Sequence, residues 1–143
     1  MITDSRVLEP AGDDERPGRG RLVEGDAFDP QSIAAIAPRP DIVVVSGLYE
    51  LFCDNDMILR SLRALAAVMK DGAFLLYTNQ PWHPQIELIA RVLSNREGKP
   101  WLMRRRTQAE IDELVAAAGL DKQEMRVDEH GIFTVSLARR SDA

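Results

Sequence analysis

The sequence is sparing in the features that identify a site most directly. It has one cysteine, Cys53, which excludes an internal disulfide and any multi-cysteine metal centre and suits a reducing compartment. No metal site is expected, and Cys53 has no basic neighbour in sequence to activate it. Positive charge is not in surplus: 18 Lys and Arg against 23 Asp and Glu leave a net charge of −5. General nucleic-acid and membrane-surface binders need a basic footprint, so neither partner is expected. No apolar run approaches the ~20 residues of a membrane-spanning helix. The amino-terminal residues are polar and acidic, without the apolar core of a signal peptide. No internal repeat is found. The expectation is a soluble, cytoplasmic protein.

What the chain does have is 143 residues, 45% hydrophobic and 29% charged, enough for one globular domain. Residues 1–20 are rich in Pro, Gly and Asp and predict a flexible arm; residues 21–143 form the domain. The stretch from Pro40 to Phe52 organises the rest. After a turn signal at 38–41, Ile42-Val43-Val44-Val45 is a β-branched run without polar alternation, the pattern of a strand buried on both faces beneath helices. Ser46-Gly47 breaks it and releases Tyr49, Glu50 and Phe52. Ligands in open α/β sheets sit beyond the carboxyl ends of such strands, so 46–50 is the first candidate site.

The other elements follow from local chemistry. Arg21-Leu22-Val23 predicts a short strand. Asp29-Pro30 predicts the start of a short helix with Ile33 and Ile36 facing inward. Asp54 or Asn55 can cap a helix carrying Ile58, Leu62, Leu65 and Met69, closed by Gly72. Residues 73–78 predict a second buried strand, and Pro84 a helix with Ile86, Ile89, Ala90 and Leu93 on one face. Thr107 and Glu110 match a capping box at the head of a further helix. Residues 122–127 and 132–138 predict a hairpin, with 133–138 alternating as a half-buried strand. Strand and helix alternate throughout, so the fold class is α/β: a Rossmann-like, mostly parallel sheet with an antiparallel C-terminal hairpin.

The order of these elements, with Glu24-Gly25-Asp26-Ala27-Phe28, Pro40 to Phe52, Lys70-Asp71-Gly72-Ala73 and the hairpin, resembles class I S-adenosylmethionine-dependent methyltransferases over residues 21–140. It is most similar to a bacterial group in which such a domain follows an α/β-hydrolase domain. The resemblance implies S-adenosylmethionine as cofactor. It puts Asp26 where a carboxylate accepts from the adenine amino group, Ala27 where a backbone N–H meets the ring, and Ser46, Gly47 and Leu48 beside the methionine part. Tyr49 and Glu50 follow at the substrate mouth, with Asn79 to His83 opposite. The family's opening strand–helix–strand unit and its Gly-rich turn have no counterpart here, so the expectation is a partial domain: a truncation, half of a split protein, or a descendant that has lost the unit.

Methyl transfer needs a positioned nucleophile and, for a hydroxyl or protonated amine, a base. Tyr49, Glu50 and His83 are the catalytic candidates; as plain structure they read as a core aromatic, a helix-start carboxylate and a cap before Pro84. Trp82 and Trp101 read as packing residues, and Arg104-Arg105-Arg106 as a solvated loop rather than an anion clamp. Three functions follow: a methyltransferase acting on a small molecule; a non-catalytic remnant that pairs, as a homodimer or with a partner chain supplying the missing strands, through an exposed sheet edge; and a nucleic-acid-modifying enzyme using the arginine run, against which the net acidity counts.

Overall fold

A computed structural model of the protein describes residues 23–95 and 97–141. The expected arm at 1–20 and the first two residues of the strand expected at 21–23 lie outside them. Val23 is exposed and not in a strand. The elements are α1 (Pro30–Ala34), β1 (Ile42–Val45), a 3-10 turn (Tyr49–Leu51), α2 (Asn55–Val68), β2 (Phe74–Asn79), α3 (Ile86–Val92), α4 (Gln108–Ala117), β3 (Leu120–Val127) and β4 (Thr134–Arg140).

The helices begin where their capping chemistry lies. Asp29 accepts from Gln31 N at 3.1 Å and Ser32 N at 3.2 Å, with Pro30 in the first turn. Asp54 caps α2 through Asp56 N at 2.9 Å, leaving Asn55 free for other work. Thr107 Oγ1 accepts from Glu110 N at 3.1 Å at the head of α4. In α3 the expected inward face is not buried: Ile86, Ile89 and Ala90 are half-covered and Leu93 is exposed.

The sheet runs β1-β2-β4-β3. β1 and β2 are parallel, from Ile42 beside Phe74 to Val45 beside Tyr77. The hairpin then adds β4 antiparallel to β2, with β3 antiparallel beyond it. The core lies on one face only. Val45, Leu75, Tyr77 and Ala138 of the strands bury against Ile58, Leu62 and Leu65 of α2 and Ile111 and Val115 of α4.

On the same strands, the residues of opposite parity stay open among the described residues. Ile42 is 61% and Val44 64% exposed, and Phe74 and Val135 are also exposed. This corrects the expectation for 42–45: among the described residues β1 is an edge strand with one covered face. In β4 the buried half is Thr134, Ser136 and Ala138, while Val135 faces outward. Small residues there allow close approach of α4; the large apolar ones lie where nothing in the described chain covers them.

Candidate functional site

At the free edge of β1 lies a cavity of about 510 Å³, lined by residues 23–27, Ser32, Ile33 and Ile36 on one side and Val43 to Ser46, Leu48, Tyr49, Ser61 and Leu65 on the other. The strand forms one wall because, among the described residues, β1 pairs only with β2. The facing wall is the Gly25–Phe28 turn, fastened to α1: Asp26 N donates to Ser32 Oγ at 2.9 Å, and Phe28 N donates to Asp26 Oδ1 at 2.9 Å. Gly25 is required by this closeness, since a Cβ would stand 2.7 Å from Ser32 Oγ. Asp26 is exposed and has Oδ2 outside that bond. Four of the five expected cofactor residues, Asp26, Ala27, Ser46 and Leu48, line this one cavity.

Gly47, the fifth, shapes the turn instead. Its φ of +65° is left-handed, and its N–H donates to Thr78 Oγ1 at 2.9 Å, tying the end of β1 to β2. Tyr49 is buried at the cavity's base. Ser61 Oγ donates to Ala27 O at 2.7 Å, so its single proton is used and Tyr49 O–H must be the donor in the 3.0 Å Tyr49–Ser61 contact. Burial pushes the Tyr49 phenol up to about 12, against the pull of Ser61. It is a wall and a brace, holding its proton at neutral pH.

Glu50 lies on the other side of this turn and does not line the cavity. It is only 6% exposed, and its Oε2 has no hydrogen-bond partner. Burial raises its pKa, opposed by a backbone N–H of its own residue and by the Arg106 charge. His83 is half-buried, with Nδ1 accepting from Gln85 N at 3.1 Å; that bond belongs to the local turn. Of the expected catalytic residues, Tyr49 and Glu50 are therefore adjacent, while His83 serves the loop after β2.

Sequence reasoning missed the support beneath this turn. Arg106 is 1% exposed, not solvated. It donates Nη1 to Tyr49 O at 2.7 Å, Nη2 to Phe52 O at 2.6 Å and Nε to Asn55 Oδ1 at 2.8 Å, while its own carbonyl accepts from Asn79 Nδ2 at 3.0 Å. Arg104 N donates to Glu50 O at 2.8 Å, and its side chain meets Cys53 O, Asn55 Oδ1 and the Glu110 carboxylate. Glu110 also accepts from Asn55 Nδ2 at 2.8 Å, a bond that leads in holding its carboxyl below the usual range. In an extended segment residues alternate in direction, so 104 and 106 turn inward and 105 outward; that spacing was the available signal.

Among the described residues no helix is long and apolar enough to cross a membrane, and no three His, Cys, Asp or Glu side chains gather as a metal site. Residues 11–140 match the model of a protein family described as "Putative methyltransferase". The Escherichia coli (strain K12) protein YnbC is 55% identical over 126 residues, which are 87% of this chain and 22% of that protein. The chain thus spans about a fifth of this relative's length. Among solved structures, an O-methyltransferase family protein from Burkholderia thailandensis superposes with a TM-score of 0.64 at 16% identity, over 86% of this chain and 36% of that one. Human N-acetylserotonin methyltransferase, solved in complex with S-adenosylmethionine, superposes at 0.56 and 19% identity, over 84% and 33%. The fold is the Rossmann-like fold of these enzymes, and the chain belongs to the family described as "Putative methyltransferase".

Proposed function

We propose that this chain carries the adenine-binding and acceptor-facing part of a cytoplasmic methyltransferase that acts on a small-molecule hydroxyl or amine. The observation that carries the reading is the cavity of about 510 Å³ beside the carboxyl end of β1, lined together by Asp26, Ala27, Ser46, Leu48 and Tyr49. Its residues suit the cofactor: a spare carboxylate oxygen on Asp26 for an amino group, a backbone turn at 46–48, and the apolar side chains of Ile33, Ile36 and Leu48 for a ring. When bound, S-adenosylmethionine supplies a methyl group already activated on a sulfonium. The chain's own residues position and deprotonate: Tyr49 walls the cofactor side, Glu50 Oε2 takes the proton that a hydroxyl or ammonium acceptor loses, and His83 belongs to the opposite rim. Calorimetric titration with S-adenosylhomocysteine tests this. Micromolar binding that weakens about 10- to 100-fold in Asp26→Ala is expected, as for a hydrogen bond to a charged group. Binding weaker than about 1 mM would sink the self-sufficient site, and binding indifferent to Asp26 would remove Asp26 from it.

A second reading has its own observation. Among the described residues β1 has a free edge, and Ile42 and Val44 lie exposed beside it. An unpaired apolar edge invites strand addition, so a second copy or another chain would complete the sheet there, and the chain would function as one half of an assembly.

A further inference from the structure

The polar groups buried beyond the carboxyl ends of β1 and β2 form a layer that the cavity does not include. Glu50, Asn79, Gln80 and Arg106 are each at most 6% exposed. Leaving a carboxylate oxygen buried without a partner is costly and is seldom left so without a role. The Glu50 Oε2 atom is in that state, while the guanidinium next to it is satisfied by carbonyls on both sides of Glu50, those of Tyr49 and Phe52. Arg106 could have paired with the carboxylate bidentately, the geometry its fork favours. Instead it holds the backbone and leaves Oε2 buried without a partner.

We propose that Arg106 is a positioning residue: by clamping the carbonyls of Tyr49 and Phe52 and the Asn55 side chain, it sets the 3-10 turn so that Glu50 Oε2 stays free for the proton of the methyl acceptor. The inference rests on the reading of Glu50 as proton acceptor given above. The O–H or N–H proton of the acceptor would pass to the Glu50 carboxylate, while the bound cofactor would supply the methyl group and keep the electron pair of the broken bond on its sulfur. The Glu50 carboxyl then returns the proton to solvent. Arg106 acts through the backbone and through its charge, which helps to keep Glu50 ionised. The charged and titratable groups around the pair are Arg104, Glu110, Cys53 and the Tyr49 phenol.

The test is the Glu50 carboxyl titration, followed by carbon-13 NMR on the full chain, and it needs no acceptor. In Arg106→Gln the clamp and its charge are lost while Glu50 stays buried, so the midpoint moves further up than in the wild type; Arg106→Lys, which keeps the charge, brings it back down. A merely structural role has the opposite sign, because a turn that collapses exposes Glu50 and its midpoint drops to the ordinary carboxylate range. A drop, or no change, overturns the proposal. If Arg106→Gln does not fold, the wild-type Arg106 Nε–H resonance decides: it must inflect at the Glu50 midpoint, and a flat trace overturns the coupling. Glu50→Gln in an acceptor screen reads the base assignment separately. Full activity there would remove the role Arg106 is said to serve even with the coupled titration intact.

Discussion

At the scale of single residues, the turn after β1 sets stability against readiness for chemistry. Glu50 has its pKa raised above the ordinary 4.5 by burial. For an acid raised in the folded state, the favourable contribution is complete below the unfolded value and is lost as pH rises through the folded one. Native Glu50 therefore destabilises the fold at neutral pH, and Glu50→Gln should stabilise it there by about 1 kcal/mol, on the usual scale for relieving a functional site, and so raise Tm. Melting curves from pH 3 to 8 check this: the two proteins should converge at the acid end and separate as pH rises. Equal melting throughout would mean Glu50 ionises without cost. Gly47 next to it has a different constraint. At φ +65° an alanine is strained, although its Cβ would meet nothing nearer than Glu50 Oε1 at 3.9 Å. Gly47→Ala should cost about 1 to 2 kcal/mol by denaturant titration, from backbone conformation alone. The Ser46-Gly47 break was legible in the sequence because a glycine after a buried run has few other uses. The burial of Arg106 was legible only in part, because alternation sets 104 and 106 on one side and 105 on the other without saying which side is inward.

At the scale of elements, local signals read well and their tertiary use did not. The caps at Asp29, Asp54 and Thr107 all stand where short polar side chains precede an apolar period. Asn55 shows the limit of that reading. It was an alternative cap by composition, yet its amide serves as a hub, accepting from Arg104 at 3.0 Å and Arg106 at 2.8 Å and donating to Glu110 at 2.8 Å. The two roles predict different energies. Thr107→Ala removes one capping bond and should cost about 1 kcal/mol. Asn55→Ala removes an acceptor shared by buried Arg106 and part-buried Arg104 and should cost more, about 2 to 3 kcal/mol, although both arginines keep their other partners. Chemical denaturation of both variants orders them, and a smaller loss for Asn55→Ala would mean water replaces its amide. The same limit explains β4. Alternation indicated a half-buried strand but not which half was covered, since the sequence of a strand does not say on which face α4 will lie.

At the scale of the whole molecule, the uncovered face is the feature that most needs a physical consequence. Ile42-Val43-Val44-Val45 reads as doubly buried because a β-branched run is what such a strand requires, and that preference remains written in the sequence although only Val45 is fully buried and Val43 partly so. Ile42, Val44, Phe74 and Val135 then form an exposed apolar band across three adjacent strands, bounded by the free edge of β1. Bands of this kind mark interaction surfaces or association-prone sites in soluble proteins. Val44→Lys separates this consequence from ordinary destabilisation. Val44 is 64% exposed, so the substitution should change monomer stability by no more than about 0.5 kcal/mol. It should nevertheless suppress any association that uses the edge, because a lysine on an edge strand keeps its charge in water and resists pairing. Sedimentation velocity over a concentration series is the measurement. The wild type is expected to shift to larger species with concentration and Val44→Lys to stay monomeric. A wild type that sediments as a monomer at every concentration would mean that a second copy does not complete the sheet, and the search for its partner would turn to chains carrying the strand–helix–strand unit this sequence lacks.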